Sequence, residues 1–416
     1  MALNIVFVCG GYYPNFSATG NCIRQIAREF VKKETKVFVI GKSSTGAESE
    51  ELFEGQKLFT VTTKRLCASA KIRDINKSSI TGKAEVFIIK SYWATRLLLT
   101  KSGMDEGLVQ SYVKKLEQLS HIGINAVLPC CMPIEAVEAA YLFCKRNNIP
   151  LFPILYDRYS ENGDFFRFAW NHKIKCKYAH ELEERIFDYA TTTFYVDNWK
   201  DYFDKYKRDS VLRVEHPLVV QRESNPRELE CPTKINAIYQ GEINRQMRPP
   251  QAMLKAFETI TRTDFDISLH VFASGNGVTD VMQASQKNPK GIRFYGKVSK
   301  ELADQYYDYA NIQIILANKD KNIVSSKIFE SVASGYPIIY FYFSEDEKSY
   351  ELLQKYPLVL FIRQDMINEQ ECERIRIWMH KNKDKRIDFE FVRKAYADAT
   401  PSLIVESTLK MIGQKA

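Results

Sequence analysis

A repeated alternation of short apolar runs with helical segments limits the folds that this chain can adopt. In the first half, the β-branched run "NIVFVC" ends at Gly10 and Gly11, and a helical pattern follows from about Gly20 to Lys33. Further predicted strands of this half are 36–41, 125–129, 151–156 and 192–197. Apolar runs separated by helices are typical of parallel strands that are buried on both faces. The first half therefore predicts a doubly wound α/β domain.

The same pattern starts again after a break. The segment 216–234 contains three prolines and shows no periodicity, so we interpret it as a linker. The predicted strands beyond it are 235–241, 267–275, 292–296, 312–317 and 337–343. At 416 residues, two domains are expected. We predict an α/β protein with two Rossmann-like domains facing a central cleft: 1–215 and 235–389, followed by helices over 390–416.

Composition narrows the class of protein. With 45% hydrophobic and 26% charged residues, the chain is typical of a globular protein rather than a disordered or fibrous one. The most apolar stretch, "AEVFIIKSYWATRLLL", is too short and too charged to span a membrane. The first residues run into a strand rather than a basic leader. The nine cysteines form no C-x-x-C pair, so we expect reduced thiols in a cytoplasmic protein.

The net charge of +8 is concentrated in one window. Residues 61–115 contain eleven lysines and arginines against four acids, together with Tyr92, Trp93 and the run Leu97–Leu99. This mixture suits the surface of an anionic membrane, so peripheral membrane contact is one interpretation. It also suits nucleic acid, although no nucleic-acid-binding motif accompanies it. A solvated helix face is the third interpretation.

Candidate site residues of the second half follow the predicted strand ends, where ligands bind in sheets of this kind. Arg245 and Arg248 come after the strand that ends at Gly241, and two guanidinium groups suit a diphosphate in charge and geometry. A pair of ordinary surface arginines is the alternative. Gly275 allows a close backbone approach to a ligand or a tight turn.

A second pair of turns completes this candidate set. Gly296 and Val298 end another strand, where backbone atoms could hold a flat base or form a plain turn. The last stretch is "VSSKIFESVASGYPII", in which Ser325 or Ser326 can cap a helix. Glu330 lies too far from either serine for a capping box. It is therefore either a solvated surface charge or part of a site, with Lys327 at the positive end of the helix.

Taken in order, these stretches carry a specific resemblance. "GEINRQMRPPQAMLKAF", "VFASGNG", "IRFYGKVSKELADQYYDYANI" and "SSKIFESVASGYPII" resemble the donor-binding half of GT-B glycosyltransferases. The similarity is to the retaining family 4 group, which includes capsule and lipopolysaccharide sugar transferases. "FVCGGYYPNFSATGNCIRQIAREFVKKETKVFVI" resembles the opening strand, loop and helix of the same family. The resemblance covers nearly the whole chain.

The resemblance implies roles for individual residues. Glu330 would hold the ribose hydroxyls of a nucleotide sugar, and Ser326 and Lys327 would lie beside its diphosphate. Arg245 or Arg248 would neutralise that diphosphate, and Gly20 with Thr19 would face it from the first domain, which would bind the acceptor. The helices over 390–416 would pack back on the first domain.

Three positions depart from the family pattern. Asn322 stands where a second glutamate is frequent, eight residues before Glu330. The strand that often ends in a histidine ends here in Tyr156-Asp157-Arg158, so Asp157 or Tyr156 would have to serve the sugar or the acceptor. Glu215-His216-Pro217 replaces the usual Asn-Gly at the end of the first domain.

The function implied is transfer of a sugar, with retention, from a nucleotide diphosphate sugar to a saccharide or lipid-linked acceptor in surface polysaccharide biosynthesis. UDP is the expected nucleotide. Arg245, Arg248 and Lys327 would stabilise the leaving diphosphate. No metal or cofactor is expected, because the one Asp-x-Asp match, 264–266, precedes a strand and is interpreted as a turn. The alternatives are a catalytically silent subunit that partners another transferase, and a basic membrane- or nucleic-acid-binding protein.

Overall fold

The computed structural model describes most of the chain. The described residues are 2–76, 78–100, 102–160, 169–196, 199–206, 210–221, 225–229 and 232–415. Parts of three predicted features lie outside them: residues 222–224, 230 and 231 of the linker, Lys77 and Lys101 of the basic window, and Asp197 at a predicted strand end. The chain divides into two compact units: Met1–Pro217 with Asp398–Ala416 (unit 1), and Leu218–Ala397 (unit 2).

Unit 1 is built on parallel strands. Its strands are β1 (Asn4–Val8), β2 (Lys36–Lys42), β3 (Glu50–Phe53), β4 (Gln56–Val61), β5 (Ala126–Pro129), β6 (Ile154–Leu155), β7 (Thr193–Tyr195) and β8 (Val211–Arg213). Five strands pair in the order β3-β4-β2-β1-β5, and β6-β7-β8 form a second group. Only the β3–β4 pair is antiparallel among these described strands. Single parallel bridges from Val127 to Leu151 and from Cys130 to Ile154 connect β5 to the segment that contains β6.

Helices cover the sheet of unit 1. They are α1 (Ala18–Lys32), α2 (Lys64–Asp74), α3 (Ile80–Leu99), α4 (Glu106–Leu119), α5 (Ile134–Asn147), α6 (Ala169–Tyr189) and α7 (Lys200–Tyr206). The C-terminal helix, Pro401–Lys415, packs against α1. The Glu215 amide donates to Asp398 O at 2.8 Å and so connects the two parts of the unit. Among the described residues, no helix is both long enough and apolar enough to cross a membrane.

Unit 2 has a six-stranded parallel sheet. Its strands are β9 (Ile235–Glu242), β10 (Ile267–Ser274), β11 (Ile292–Phe294), β12 (Ile312–Leu316), β13 (Ile338–Tyr342) and β14 (Val359–Arg363). The order is β11-β10-β9-β12-β13-β14, which is the order of a Rossmann fold. Ala237 and Tyr239 point to one buried cluster and Ile238 to another, because successive side chains of a strand face opposite sides. Both faces of the sheet are therefore covered.

The helices of unit 2 connect these strands. They are α8 (Gln251–Thr263), α9 (Val278–Lys287), α10 (Lys300–Tyr309), α11 (Lys327–Ala333), α12 (Lys348–Gln354), α13 (Glu369–Asn382) and α14 (Phe389–Ala395). The strand order reverses between β9 and β12, so their carboxyl ends border the crevice in which such sheets bind ligands.

The structure differs from the sequence-based expectation at several boundaries. The final helices do not form one group, because α14 belongs to unit 2 and Pro401–Lys415 to unit 1. Helix α1 begins at Ala18, two residues before the predicted start, since the Ser17 side chain caps it by accepting from the Gly20 amide. The β3–β4 hairpin and β14 were not predicted.

Candidate functional site

The loop after β9 fixes the two arginines that were predicted from sequence. Asn244 and Arg248 bond to each other through their backbones, at 3.2 and 2.7 Å. Asn244 Oδ1 also accepts from the amides of Gln246 and Met247, at 2.9 and 3.2 Å. Such side-chain bonds to following amides stabilise a tight turn. Both guanidinium groups therefore start from a defined backbone.

Arg245 is paired with an acid. Its Nη2 lies 2.5 Å from Asp280 Oδ1, and its Nε lies 3.1 Å from Oδ2. Nη2 also lies 2.6 Å from Thr279 Oγ1. Hydrogen bonding to Arg245 lowers the pKa of Asp280 below its usual value. Arg245 is thus a largely neutralised cation held against the start of α9.

Arg248 has neutral partners instead. Nη2 donates to Asn318 Oδ1 at 2.9 Å, and Nη1 donates to Glu242 O at 3.4 Å. No carboxylate of the described residues forms an ion pair with it, and its buried Nε has no hydrogen-bond partner. Because Asn318 follows β12, Arg248 connects the loops after β9 and β12. It is the better candidate of the two arginines for an anionic ligand in the crevice.

Glu330 is clamped by two lysines. Lys327 Nζ lies 2.5 Å from Oε2, and Lys300 Nζ lies 3.1 Å from Oε1. Lys300, at the start of α10, also pairs with Asp304 at 3.1 Å. The Glu330 side chain is 17% exposed. A solvated surface charge is therefore the wrong interpretation of Glu330.

The two ammonium groups keep the Glu330 carboxylate ionised. Burial alone would raise its pKa, but the charges of Lys327 and Lys300 outweigh that effect and hold the pKa at about 2. The same carboxylate, with Asp304, raises the pKa of Lys300 against the effect of burial. An ionised carboxylate on the first turn of α11, the helix that follows β12, can accept hydrogen bonds from hydroxyl groups of a ligand.

The start of α11 carries no side-chain cap. Ser326 occupies the cap position with φ −56° and ψ −23°, and its side chain makes no capping bond. The Ile328 amide bonds to Ser325 O at 3.0 Å in a tight first turn. The expectation of a serine cap is therefore wrong. The Ser326 hydroxyl is not used as a cap.

Glycine occupies the predicted positions of the candidate site for different structural reasons. Gly275 has φ +108°, and a Cβ there would lie 2.2 Å from Ile243 O. Close packing of the loop on Ile243 therefore accounts for Gly275 without a ligand. Gly296 has φ +72° with open space around a Cβ, while Val298 packs on an apolar cluster. Gly241 lies within β9, near its end, where a Cβ would lie 3.2 Å from Tyr239 Oη.

Asn322 is exposed on the loop before α11. Its amide donates to Asp320 Oδ1 at 3.0 Å, in a local turn. Asp320 is exposed as well. The loop therefore does carry a carboxylate, two residues before the position at which the resemblance implies a second glutamate.

In unit 1, the predicted residues also follow strand ends. A Cβ on Gly20 would lie 2.1 Å from Gly11 O, so the loop after β1 requires glycine there. Thr19 Oγ1 lies 3.2 Å from Ser17 Oγ. Asp157 follows β6 and is exposed as a residue, but neighbouring atoms shield its carboxyl group from part of the water, which raises its pKa.

Tyr156, which follows β6, is buried, and His216 beside it is half-buried. Tyr156 stacks on His216, with ring centroids 5.1 Å apart, and burial lowers the pKa of His216 to about 4. A neutral imidazole can donate and accept hydrogen bonds but carries no charge.

Two residues of the unit 2 site were missed from sequence. Lys300 lies 30 positions from Glu330, and Asn318 lies 70 positions from Arg248. Two sequence features could have identified Lys300 as a site residue: its position four residues after Gly296 and its i,i+4 spacing to Asp304. Among the described residues, no group of three or more His, Cys, Asp or Glu side chains is arranged to hold a metal ion.

No protein-family model and no curated protein sequence matches the chain significantly, but solved structures do. Sucrose-phosphate synthase from Thermosynechococcus elongatus has 10% identity and a TM-score of 0.59, covering 100% of both chains. A UDP-forming α,α-trehalose-phosphate synthase from Burkholderia xenovorans, in complex with glucose-6-phosphate, has 8% identity and a TM-score of 0.57, covering 98% of this chain and 100% of that one. A UDP-N-acetylglucosamine 2-epimerase has 12% identity and a TM-score of 0.53, covering 100% of this chain and 98% of that one. The chain has the fold of GT-B glycosyltransferases with two Rossmann-like domains, which confirms the predicted fold.

Proposed function

We propose that this protein is a glycosyltransferase that takes a sugar from a nucleotide diphosphate sugar, with a UDP-sugar as the expected donor. The observation that carries the proposal is the Glu330 carboxylate, ionised and held between Lys300 and Lys327 in the first turn of α11, the helix that follows β12. Arg248 lies on the neighbouring loop of the same crevice. A fixed acceptor of hydroxyl hydrogens beside cationic groups suits a ribose joined to a diphosphate.

Each residue would have a distinct task. Glu330 would accept hydrogen bonds from the ribose hydroxyls, with Lys300 keeping one oxygen in place. Lys327 and Arg248 would stabilise the negative charge that develops on the diphosphate as the bond to the sugar breaks. Arg245, already neutralised by Asp280, would contribute less.

The chemistry proposed needs no protein nucleophile. The leaving diphosphate takes the proton of the acceptor hydroxyl on the same face of the sugar, which gives retention. The protein then acts by positioning and by charge stabilisation. Asp157 in unit 1 is proposed to bind the acceptor or the sugar. We propose a saccharide or lipid-linked acceptor, surface polysaccharide biosynthesis as the setting, and a reaction that requires no divalent metal.

The direct test is an activity assay on the full chain with a panel of labelled UDP-sugars. Slow release of sugar to water is expected for at least one donor, because a bound donor without acceptor still meets solvent. Glu330→Ala is expected to lower that rate at least ~100-fold, which is the loss of roughly 3 kcal/mol of charge-assisted hydrogen bonding. Glu369→Ala, at an exposed position on α13, is the matched control.

Equal rates in the wild type and Glu330→Ala would contradict the proposed site. Activity that persists with a chelator supports metal independence. Activity that is lost with chelator and restored by manganese would overturn that part of the proposal.

A catalytically silent subunit is the second candidate. Exposed Asn322, in place of a carboxylate that could contact the transferred sugar, favours it. In that case UDP binds to the wild-type protein and not to Glu330→Ala, while no UDP-sugar is consumed unless a partner transferase is added. Epimerisation, which the name of one structural neighbour raises, is detected in the same assay as a changed sugar still attached to UDP.

Peripheral membrane contact through residues 61–115 fits a lipid-linked acceptor. It brings the enzyme to the surface on which such an acceptor lies. This part of the proposal is separate from the nucleotide site, since 61–115 lies in unit 1.

A further inference from the structure

Helix α3 is the most exposed long element among the described residues of unit 1. Of its 20 residues, Gly82 alone is buried. Its less exposed side carries Val86, Ile89, Trp93 and Leu97, at spacings of three and four residues, which places them on one helix face. Trp93 and Leu97 line a cavity of about 370 Å³. The helix is therefore attached to the unit by one narrow face.

The opposite side of α3 is apolar as well. Ile80, Phe87, Ile88 and Leu99 are 87%, 70%, 66% and 73% exposed. We call these four residues the apolar ridge. At 100° per residue they fall within about one third of the helix circumference. Phe87 and Ile88 are adjacent, Ile80 lies about two turns before them, and Leu99 lies about three turns after them. Exposed apolar side chains that share one helix face suit contact with a partner or a membrane.

Cations lie on both sides of the apolar ridge. Lys83 and Lys90, seven residues apart, follow one side, and Arg96 lies on the other. Among the described residues, none of these three side chains forms an ion pair. The Arg96 guanidinium lies over the rings of Tyr92 and Trp93 and donates to the Tyr92 hydroxyl. Residues 64–99, which contain α2 and α3, hold eight basic and two acidic residues.

We propose that α3 lies in the interface of an anionic lipid bilayer, with its apolar ridge among the acyl chains and its flanking cations at the lipid headgroups. An apolar ridge between cationic flanks matches the layered chemistry of such a surface. A nucleic acid would supply the negative charge that the lysines and Arg96 require, but it has no apolar layer to receive Phe87 and Ile88. A second copy of this chain would bring equal positive charges together. The helix lies on the bilayer and does not cross it.

This inference does not rest on the proposed nucleotide chemistry. It goes beyond the general membrane interpretation of 61–115 because it assigns the contact to one helix, one face and one orientation.

The test is flotation of the full-length protein with vesicles, either of neutral phosphatidylcholine or with about one third phosphatidylglycerol. The wild type is expected to bind the anionic vesicles at least tenfold better, with binding reduced by salt. Phe87→Glu with Ile88→Glu is expected to reduce the partition coefficient at least tenfold. Lys83→Ala and Lys90→Ala are each expected to reduce it about fivefold.

Phe265→Glu, at a position of unit 2 that is 78% exposed, is the matched control and is expected to bind as the wild type does. Thermal unfolding of each variant shows whether it is folded, and all of these positions are exposed. Wild-type binding by the double variant would overturn the proposal, as would absence of binding to anionic vesicles. A wild-type dimer that the double variant converts to a monomer would also overturn it, since the ridge would then be a contact between two copies.

Discussion

At the scale of single residues, Glu330 combines a low exposure with a low pKa. Its two oxygens accept from Lys327, on the same helix, and from Lys300, on α10. Removing one partner of a half-buried charge cluster leaves the remaining charges poorly solvated. The arrangement is therefore expected to matter for stability as well as for ligand binding.

The pH dependence of stability tests this cluster. The pKa of Glu330 is lowered from 4.5 to about 2 in the folded protein, so ionised Glu330 stabilises the fold above pH 4.5 and loses this effect as the pH falls towards 2. Glu330→Gln is expected to lower the free energy of unfolding by up to about 3 kcal/mol at pH 7 and by roughly half as much at pH 3. Chemical denaturation at the two pH values measures the difference. The same loss at both would show that the carboxylate charge is not the cause.

At the scale of elements, the loops after β9 and β10 form one packed pair. Gly275 is pressed against the Ile243 carbonyl, and the Gly277 amide donates to the same oxygen at 3.2 Å. Arg245 adds an ion pair to Asp280 on α9. These contacts fix the backbone from which Arg248 reaches the crevice.

Two glycine substitutions separate packing from backbone strain. Gly275→Ala combines a φ of +108° with a Cβ 2.2 Å from Ile243 O, so it is expected to lower the free energy of unfolding by about 3 kcal/mol. Gly296→Ala has φ +72° and open space, so a loss of about 1 kcal/mol is expected from strain alone. Equal losses, measured by chemical denaturation, would show that the Ile243 contact is not a constraint.

At the scale of the whole molecule, the fold could be predicted from the sequence because the pattern that indicates each strand or helix lies within one short stretch of chain. Buried runs such as Ile312–Leu316, in which Gln313 is the one polar residue, and Ile338–Tyr342 alternate with helices in order. The β3–β4 hairpin was missed because "EELFEGQKLFTV" mixes charges into both strands. Helix α3 lies in the basic window 61–115, for which three interpretations were given: a solvated face, a membrane surface and a nucleic-acid surface. The exposure of the α3 side chains is needed to distinguish them.

The site could be predicted only in part, because some of its side chains pair with residues that are far away along the chain. Glu330 and Lys327 are three residues apart and were found together. Lys300 is 30 positions from Glu330 and reaches it only because the chain folds. Asp280 is 35 positions from Arg245 and neutralises it for the same reason. Sequence spacing therefore indicated which groups were present, whereas the fold decides which of them are paired.

We propose that unit 2 binds a nucleotide diphosphate through Glu330 and Arg248, and calorimetric titration of the full chain with UDP tests this binding. Glu330→Ala and Arg248→Gln are each expected to weaken binding at least tenfold, or by about 1.4 kcal/mol. Arg245→Gln is expected to weaken it less, because that guanidinium is already paired, and Glu369→Ala is expected to leave it unchanged. No heat of binding for the wild-type protein, or equal affinity in the wild type, Glu330→Ala and Arg248→Gln, would contradict the account.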